Sequence, residues 1–82
     1  MTHENHPETE IDAIGLLCPL PVLKARKALA ALPQGAVLRL LASDPAAIVD
    51  VPHFCAQAGH EFLGQSEVAD HVVYRLRKGA EA

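Results

Sequence analysis

The sequence predicts an α/β (α+β) two-layer sandwich: one four-stranded mixed sheet with two helices on one of its faces. Three observations carry this. Residues 21–32 place Val22, Ala25, Leu29 and Leu32 at steps of three, four and three, the stripe of an amphipathic helix. Ser43-Asp44-Pro45, directly after an apolar run, opens a second helix with an oxygen-bearing cap residue and a proline at the first helical position. The last two strand-like runs are separated by a break short enough for a hairpin. Half of the 82 residues are hydrophobic, enough for one core and one domain without disulfides or metal to hold it.

In chain order, residues 1–9 read as a flexible polar tail and residues 10–79 as the domain. Residues 10–14 form a short first strand in which Ile11 and Ala13 alternate with Asp12, and Gly15-Leu16-Leu17 is the turn out of it. The first helix follows and ends at Pro33-Gln34-Gly35, where Gly35 suits a left-handed cap or turn. Residues 36–42 are nearly all apolar, with Arg39 inside, and read as a strand with a buried face. The second helix carries Ile48, Val51, Cys55 and Ala58 on one side and stops at Gly59. Pro52 lacks an amide hydrogen, which predicts a kink or two shorter pieces. Residues 60–67 and 71–77 are the last two strands, the second with Val72, Tyr74 and Leu76 on one face. Right-handed crossovers then put both helices on one side of the sheet. Both helices begin just beyond the exits of strands one and two, so Cys18 and Asp44 are expected near each other at one edge of the domain, the usual place for chemistry in such folds.

Composition excludes several classes. No apolar run approaches the ~20 residues of a membrane span. The first ten residues lack the order of a signal peptide, so the expected location is the cytoplasm. A net charge of −3 argues against a direct grip on nucleic acid. Lys24, Arg26 and Lys27 form one mild basic group and Arg75, Arg77 and Lys78 another; the ordinary reading is a solvated face, the sharper one a patch for an acidic protein partner. Two cysteines without a C-x-x-C spacing are neither a disulfide framework nor a zinc knuckle.

The chemistry concentrates at Cys18-Pro19-Leu20-Pro21. With Cys18 as cap residue, Pro19 takes the first helical position, where its missing amide hydrogen costs nothing. The free amides of Leu20 and Val22 and the positive helix end then favour a thiolate. Two prolines also stiffen the turn and give the sulfur a fixed direction, which nucleophilic sulfur chemistry requires. A cysteine at a helix end is ordinarily a small hydrophobe, but packing one needs no prolines at this spacing. Leu20 and Leu23 fall opposite the packed stripe, beside Lys24 and Lys27, and form an apolar patch ringed by positive charge that suits a protein partner better than a small molecule. Neither a histidine nor a carboxylate can be assigned from sequence as a general base. Cys55 sits on the apolar stripe of the second helix and reads as packing. His53, His60 and His71 show no zinc spacing, so no metal is expected. Asp44 reads first as a helix cap.

Asp12-x-x-Gly15-x-x-Cys18-Pro19-x-Pro21 resembles the signature of the TusA-like (SirA-like) sulfur carriers, and the likeness continues through Ser43-Asp44-Pro45, Asp50-Val51-Pro52-x-Phe54-Cys55 and Gly59-His60-Glu61. The resemblance covers roughly residues 10–79. It implies a two-layer sandwich in which Cys18 accepts sulfane sulfur as a persulfide, with no other cofactor. The donor it implies is a cysteine desulfurase or another sulfane-sulfur source, and the recipient a downstream sulfur-relay protein serving tRNA thiolation, molybdenum-cofactor enzymes or sulfur oxidation. It marks Cys18 as catalytic, with Pro19, Pro21, Gly15 and Asp44 in support; the helix face and basic group read above make Leu20, Leu23, Lys24, Arg26 and Lys27 the expected partner-binding residues. Leu20 stands where the tRNA-thiolation members often carry an acidic residue, and Ala30 and Ala31 replace a more charged stretch, so the expected partners differ while the sulfur chemistry does not. The competing reading is a non-catalytic interaction or regulatory domain that keeps the fold; a metal module built from Cys18, Cys55 and histidines is a third.

Overall fold

The structure is a computed structural model that describes residues 8–80. Its elements are β1 (Thr9–Ala13), α1 (Leu20–Ala30), β2 (Val37–Ala42), α2 (Ala47–Ala58), β3 (Glu61–Val68) and β4 (His71–Arg77), in the expected β-α-β-α-β-β order. One sheet has the strand order β1-β2-β4-β3; β1 runs parallel to β2, and the remaining pairs are antiparallel. The parallel pair needs a crossover, which α1 supplies, while β3 and β4 need only the two-residue link Ala69-Asp70. The first strand opens at Thr9, one residue earlier than the expected boundary of the tail, and the rest of that tail, residues 1–7, lies outside the described residues.

The core follows from alternation. Along β2, Leu38, Leu40 and Ala42 are buried and their neighbours are not. They face Leu76, Tyr74 and Val72 across the antiparallel pair and Thr9, Ile11 and Ala13 across the parallel one. Ala25 and Leu29 of α1 and Ala47, Val51, Phe54 and Cys55 of α2 close this face. The packed stripe of α2 is therefore rotated from the expected one: Ile48 is 46% exposed and Ala58 only partly buried. The helix starts at Ala47, which turns Phe54 inward in place of Ile48. Pro52 does not divide α2; Val51, Phe54 and Cys55, on both sides of the proline, anchor one uninterrupted helix.

Polar details settle the helix ends. Gly35 does not cap α1; the cap is Ala31, and Lys78 donates to the Leu29 and Leu32 carbonyls at 2.6 and 3.0 Å, a cation at the negative end of the helix. Gly59, with φ +83°, does cap α2. Among the described residues the far face of the sheet carries no helix and bears Arg39–Glu10, Arg75–Glu8 and Arg77–Glu61 pairs at 3.1, 2.6 and 2.7 Å. Arg75, Arg77 and Lys78 thus each have a partner within the chain. Along β3 the register shifts between Phe62 and Gly64.

Candidate functional site

Strands β1 and β2 are parallel neighbours, so their exits share one rim, and the side chains at the β2 exit hold the loop that leaves β1. The Gly15 N–H donates to Ser43 Oγ at 2.9 Å, and the Cys18 N–H donates to Asp44 Oδ2 at 2.6 Å. The other Asp44 oxygen accepts the Ala46 N–H at 3.2 Å, so one carboxylate closes the turn before α2 and fixes the cysteine backbone. Gly15 has φ +87°, a left-handed turn that a side chain would strain by about 1–2 kcal/mol. The loop is therefore set by Gly15, Ser43 and Asp44, of which the sequence reading placed Asp44 beside Cys18; Asp44 acts as a clamp and not as the expected helix cap, because α2 starts at Ala47 with Ala46 as its cap residue and Pro45 lies in the turn before it. The Cys18–Pro19 peptide bond is cis.

Helix α1 begins one residue later than expected. Pro19 occupies the cap position and Pro21 the second helical position, which leaves Cys18 just outside the helix. The Leu20 N–H donates to the Leu17 carbonyl at 2.8 Å and is not free for the sulfur. Cys18 is exposed, and its Sγ–H donates to Asp50 Oδ2 at 3.0 Å across the gap between the helices. That hydrogen bond first, then desolvation and the charges of Asp50 and Asp44, hold the Cys18 thiol above its ordinary value. The carboxylates of Asp50 and Asp44 thus act against the thiolate that the helix end was expected to favour. Asp50, which the sequence reading quoted in its motif without giving it a role, is the side chain that meets the thiol. It lies 32 positions from Cys18 and on its own reads as an acid in the first turn of a helix.

The other expected residues divide. Leu20 and Leu23, 46% and 49% exposed, share one face of α1 with Lys24 and Lys27. Leu17, 68% exposed, extends that apolar surface, whereas Leu16 packs against the core. Lys24 is tethered, donating to the Asp12 carbonyl at 3.1 Å. Arg26 leaves the patch and turns toward α2, its guanidinium 5.4 Å from the centre of the Phe54 ring. It helps line an open groove of about 230 Å³ beside the thiol, together with Val22, Asp50, His53, Phe54 and Gln57. Cys55 is buried in the core, and burial pushes its thiol up to about 11. Among the described residues, no three His, Cys, Asp or Glu side chains are grouped to hold a metal ion.

The model of the family described as Sulfurtransferase TusA matches residues 9–78. The chain belongs to the TusA family. A TusA sulfur carrier protein of Pseudomonas entomophila is 44% identical over 81 residues, covering 99% of this chain and all of that one. The TusA sulfur carrier protein of a Pseudomonas putida strain is 40% identical over 75 residues, covering 92% and 94% of the two chains. The crystal structure of a SirA-like protein from Desulfitobacterium hafniense superposes with a TM-score of 0.71 at 28% identity, covering 87% of this chain and 97% of that one. The β-α-β-α-β-β sandwich predicted from the sequence is the fold of that TusA-like neighbour. No helix among the described residues is long and apolar enough to cross a membrane.

Proposed function

We propose that this TusA-family protein is a sulfur carrier, a sulfurtransferase of the persulfide type in which Cys18 takes sulfane sulfur from a donor protein and hands it to an acceptor. One observation carries the reading: Cys18 is an exposed thiol whose backbone is clamped to Asp44 and whose sulfur is directed at Asp50, on a rim that faces solvent. A fixed and open sulfur suits exchange between proteins, since a partner reaches it without any opening of the fold. Cys55 takes no part in this, being buried and held protonated.

The donor is a cysteine desulfurase or another sulfane-sulfur source, and the acceptor a sulfur-relay protein; neither nucleic acid nor membrane is engaged directly. Leu17, Leu20 and Leu23 with Lys24 and Lys27 form the surface on which the partners dock, and Arg26 meets whatever enters the groove. The persulfide on Cys18 is the whole of the prosthetic chemistry, and the protein works in the cytoplasm. Intact-mass spectrometry tests this after incubation with a cysteine desulfurase and cysteine. A gain of about one sulfur atom (~32 Da), removed by reductant and absent only in Cys18→Ser, is expected. Wild-type protein that gains no mass, with thiosulfate tried as a second donor, overturns the carrier reading in favour of an interaction domain.

A further inference from the structure

The thiol of Cys18 and the carboxylate of Asp50 come from different elements. Cys18 stands on the loop after β1, and Asp50 projects from the first turn of α2. Their 3.0 Å contact closes one end of the groove between the helices. The groups around the pair are few. Asp44 comes from the turn after β2; Arg26 faces the groove from α1 and lies over Phe54; His53 follows one turn further along α2. Asp50 therefore meets the sulfur and Asp44 the backbone N–H of the same cysteine, while Arg26 is a cation lining the groove beside Asp50. A carrier that only needed a reactive thiolate would gain from the opposite arrangement.

We propose that Asp50 is the proton acceptor of the transfer step. As Cys18 attacks a donor persulfide, the Sγ–H proton passes to Asp50 Oδ2 along the hydrogen bond already formed. This rests on the carrier function proposed above. The lone pair on Sγ forms a bond to the terminal sulfur of the donor R–S–SH, and the donor S–S bond breaks with its electron pair kept by R–S. That thiolate takes up the proton, so Cys–SH and R–S–SH become Cys–S–SH and R–SH. No electrons leave the pair of proteins, and no oxidant is needed. A carboxylate is a weaker base than a thiolate, so the proton leaves as the new bond forms and not before. At rest the same carboxylate keeps the sulfur protonated and unreactive toward stray electrophiles. In the loaded protein Asp50 repels an anionic outer sulfur, which turns it away from the groove and toward an acceptor.

The two roles give opposite signs in one variant, Asp50→Asn. Alkylation by iodoacetamide, read against pH, reports the resting thiol; its midpoint is expected to move to lower pH, with faster alkylation at pH 7. Loading from glutathione persulfide, a donor that needs no docking, reports the transfer step and is expected to slow by about 100-fold. Asp50→Glu is expected to recover part of the loading rate and to keep the higher alkylation midpoint. Circular dichroism of each variant shows that the fold is retained, and Asp50→Glu carries the test if Asp50→Asn does not fold. Loading of Asp50→Asn at the wild-type rate, or an unmoved alkylation midpoint, overturns the proposal. A uniform slowing of both reactions does so as well, because it marks a merely structural role. Wild-type protein that never loads would instead remove the carrier reading, a failure distinct from that of Asp50.

Discussion

Replacing Asp44 with alanine removes two hydrogen-bond acceptors from one place. Oδ1 holds the Ala46 N–H in the turn before α2, and Oδ2 holds the Cys18 N–H at 2.6 Å. Loss of the bond that closes the turn before α2 costs about 1 kcal/mol. A hydrogen bond to a charged acceptor contributes about 1.5–3 kcal/mol, and the exposure of Cys18 places this one at the low end. Together the variant is expected to lose about 2.5 kcal/mol. In a domain of this size that lowers the thermal midpoint by about 10–20 °C. Asp44→Asn keeps one acceptor but presents an amide to the other N–H, so it should fall about midway. Thermal unfolding followed by circular dichroism measures both, and loading from a persulfide donor should slow in the same order, since the sulfur loses its fixed direction. A midpoint for Asp44→Ala within about 2 °C of wild type would refute the reasoning, because it would mean that the clamp contributes under ~0.5 kcal/mol.

Alkaline pH should weaken the fold through Cys55, whose folded value of about 11 stands above the ordinary value of 9.0. The folded state binds this proton more tightly than the unfolded chain does, so the contribution is complete below about pH 9 and is lost as pH rises toward 11, on the order of 2–3 kcal/mol in all. Urea unfolding at pH 8 and pH 11 should show a shallower loss in Cys55→Ala than in wild type, although the variant starts lower because it leaves a cavity. Tyr74→Phe should leave stability unchanged or raise it by up to about 1 kcal/mol, because the buried Tyr74 hydroxyl has no hydrogen-bond partner among the described residues; a loss above ~1 kcal/mol in chemical denaturation would contradict this. The double variant Leu20→Glu with Leu23→Glu should keep its stability within about 0.5 kcal/mol, since both side chains project from the exposed face of α1. It should still load from a small persulfide but lose most of its loading from a desulfurase, read by intact mass.

Much of this arrangement was legible in the sequence, because it rests on local signals. The first and last strands declared themselves by alternation, the second by its apolar run, and the first helix by its stripe. The meeting of Cys18 with Asp44 then followed from topology alone: parallel neighbours exit at one rim. What escaped was set by helix phase. A start at Ala47 turns Phe54 inward and Ile48 outward, and the same phase brings Asp50 to the thiol. A one-residue later start of α1 also took the Leu20 amide away from the sulfur, and with it the reason to expect a thiolate. Boundaries of this kind are the least certain part of any reading from propensity, and here they decide the sign of an electrostatic effect. Arg75, Arg77 and Lys78 show the same lesson in another form: a basic run has no meaning as a patch until its partners, Glu8, Glu61 and the end of α1, are known.

The strand order β1-β2-β4-β3 leaves two edges where backbone groups could pair with another molecule. On one, β1 is only five residues long and turns Glu10 and Asp12 toward water. On the other, β3 carries Glu61 and Glu67 and is interrupted by the register shift before Gly64, whose φ of +140° departs from a regular strand. Two copies approaching edge to edge would bring carboxylates against carboxylates along an irregular margin. The sheet therefore resists growing into a polymer by addition of strands.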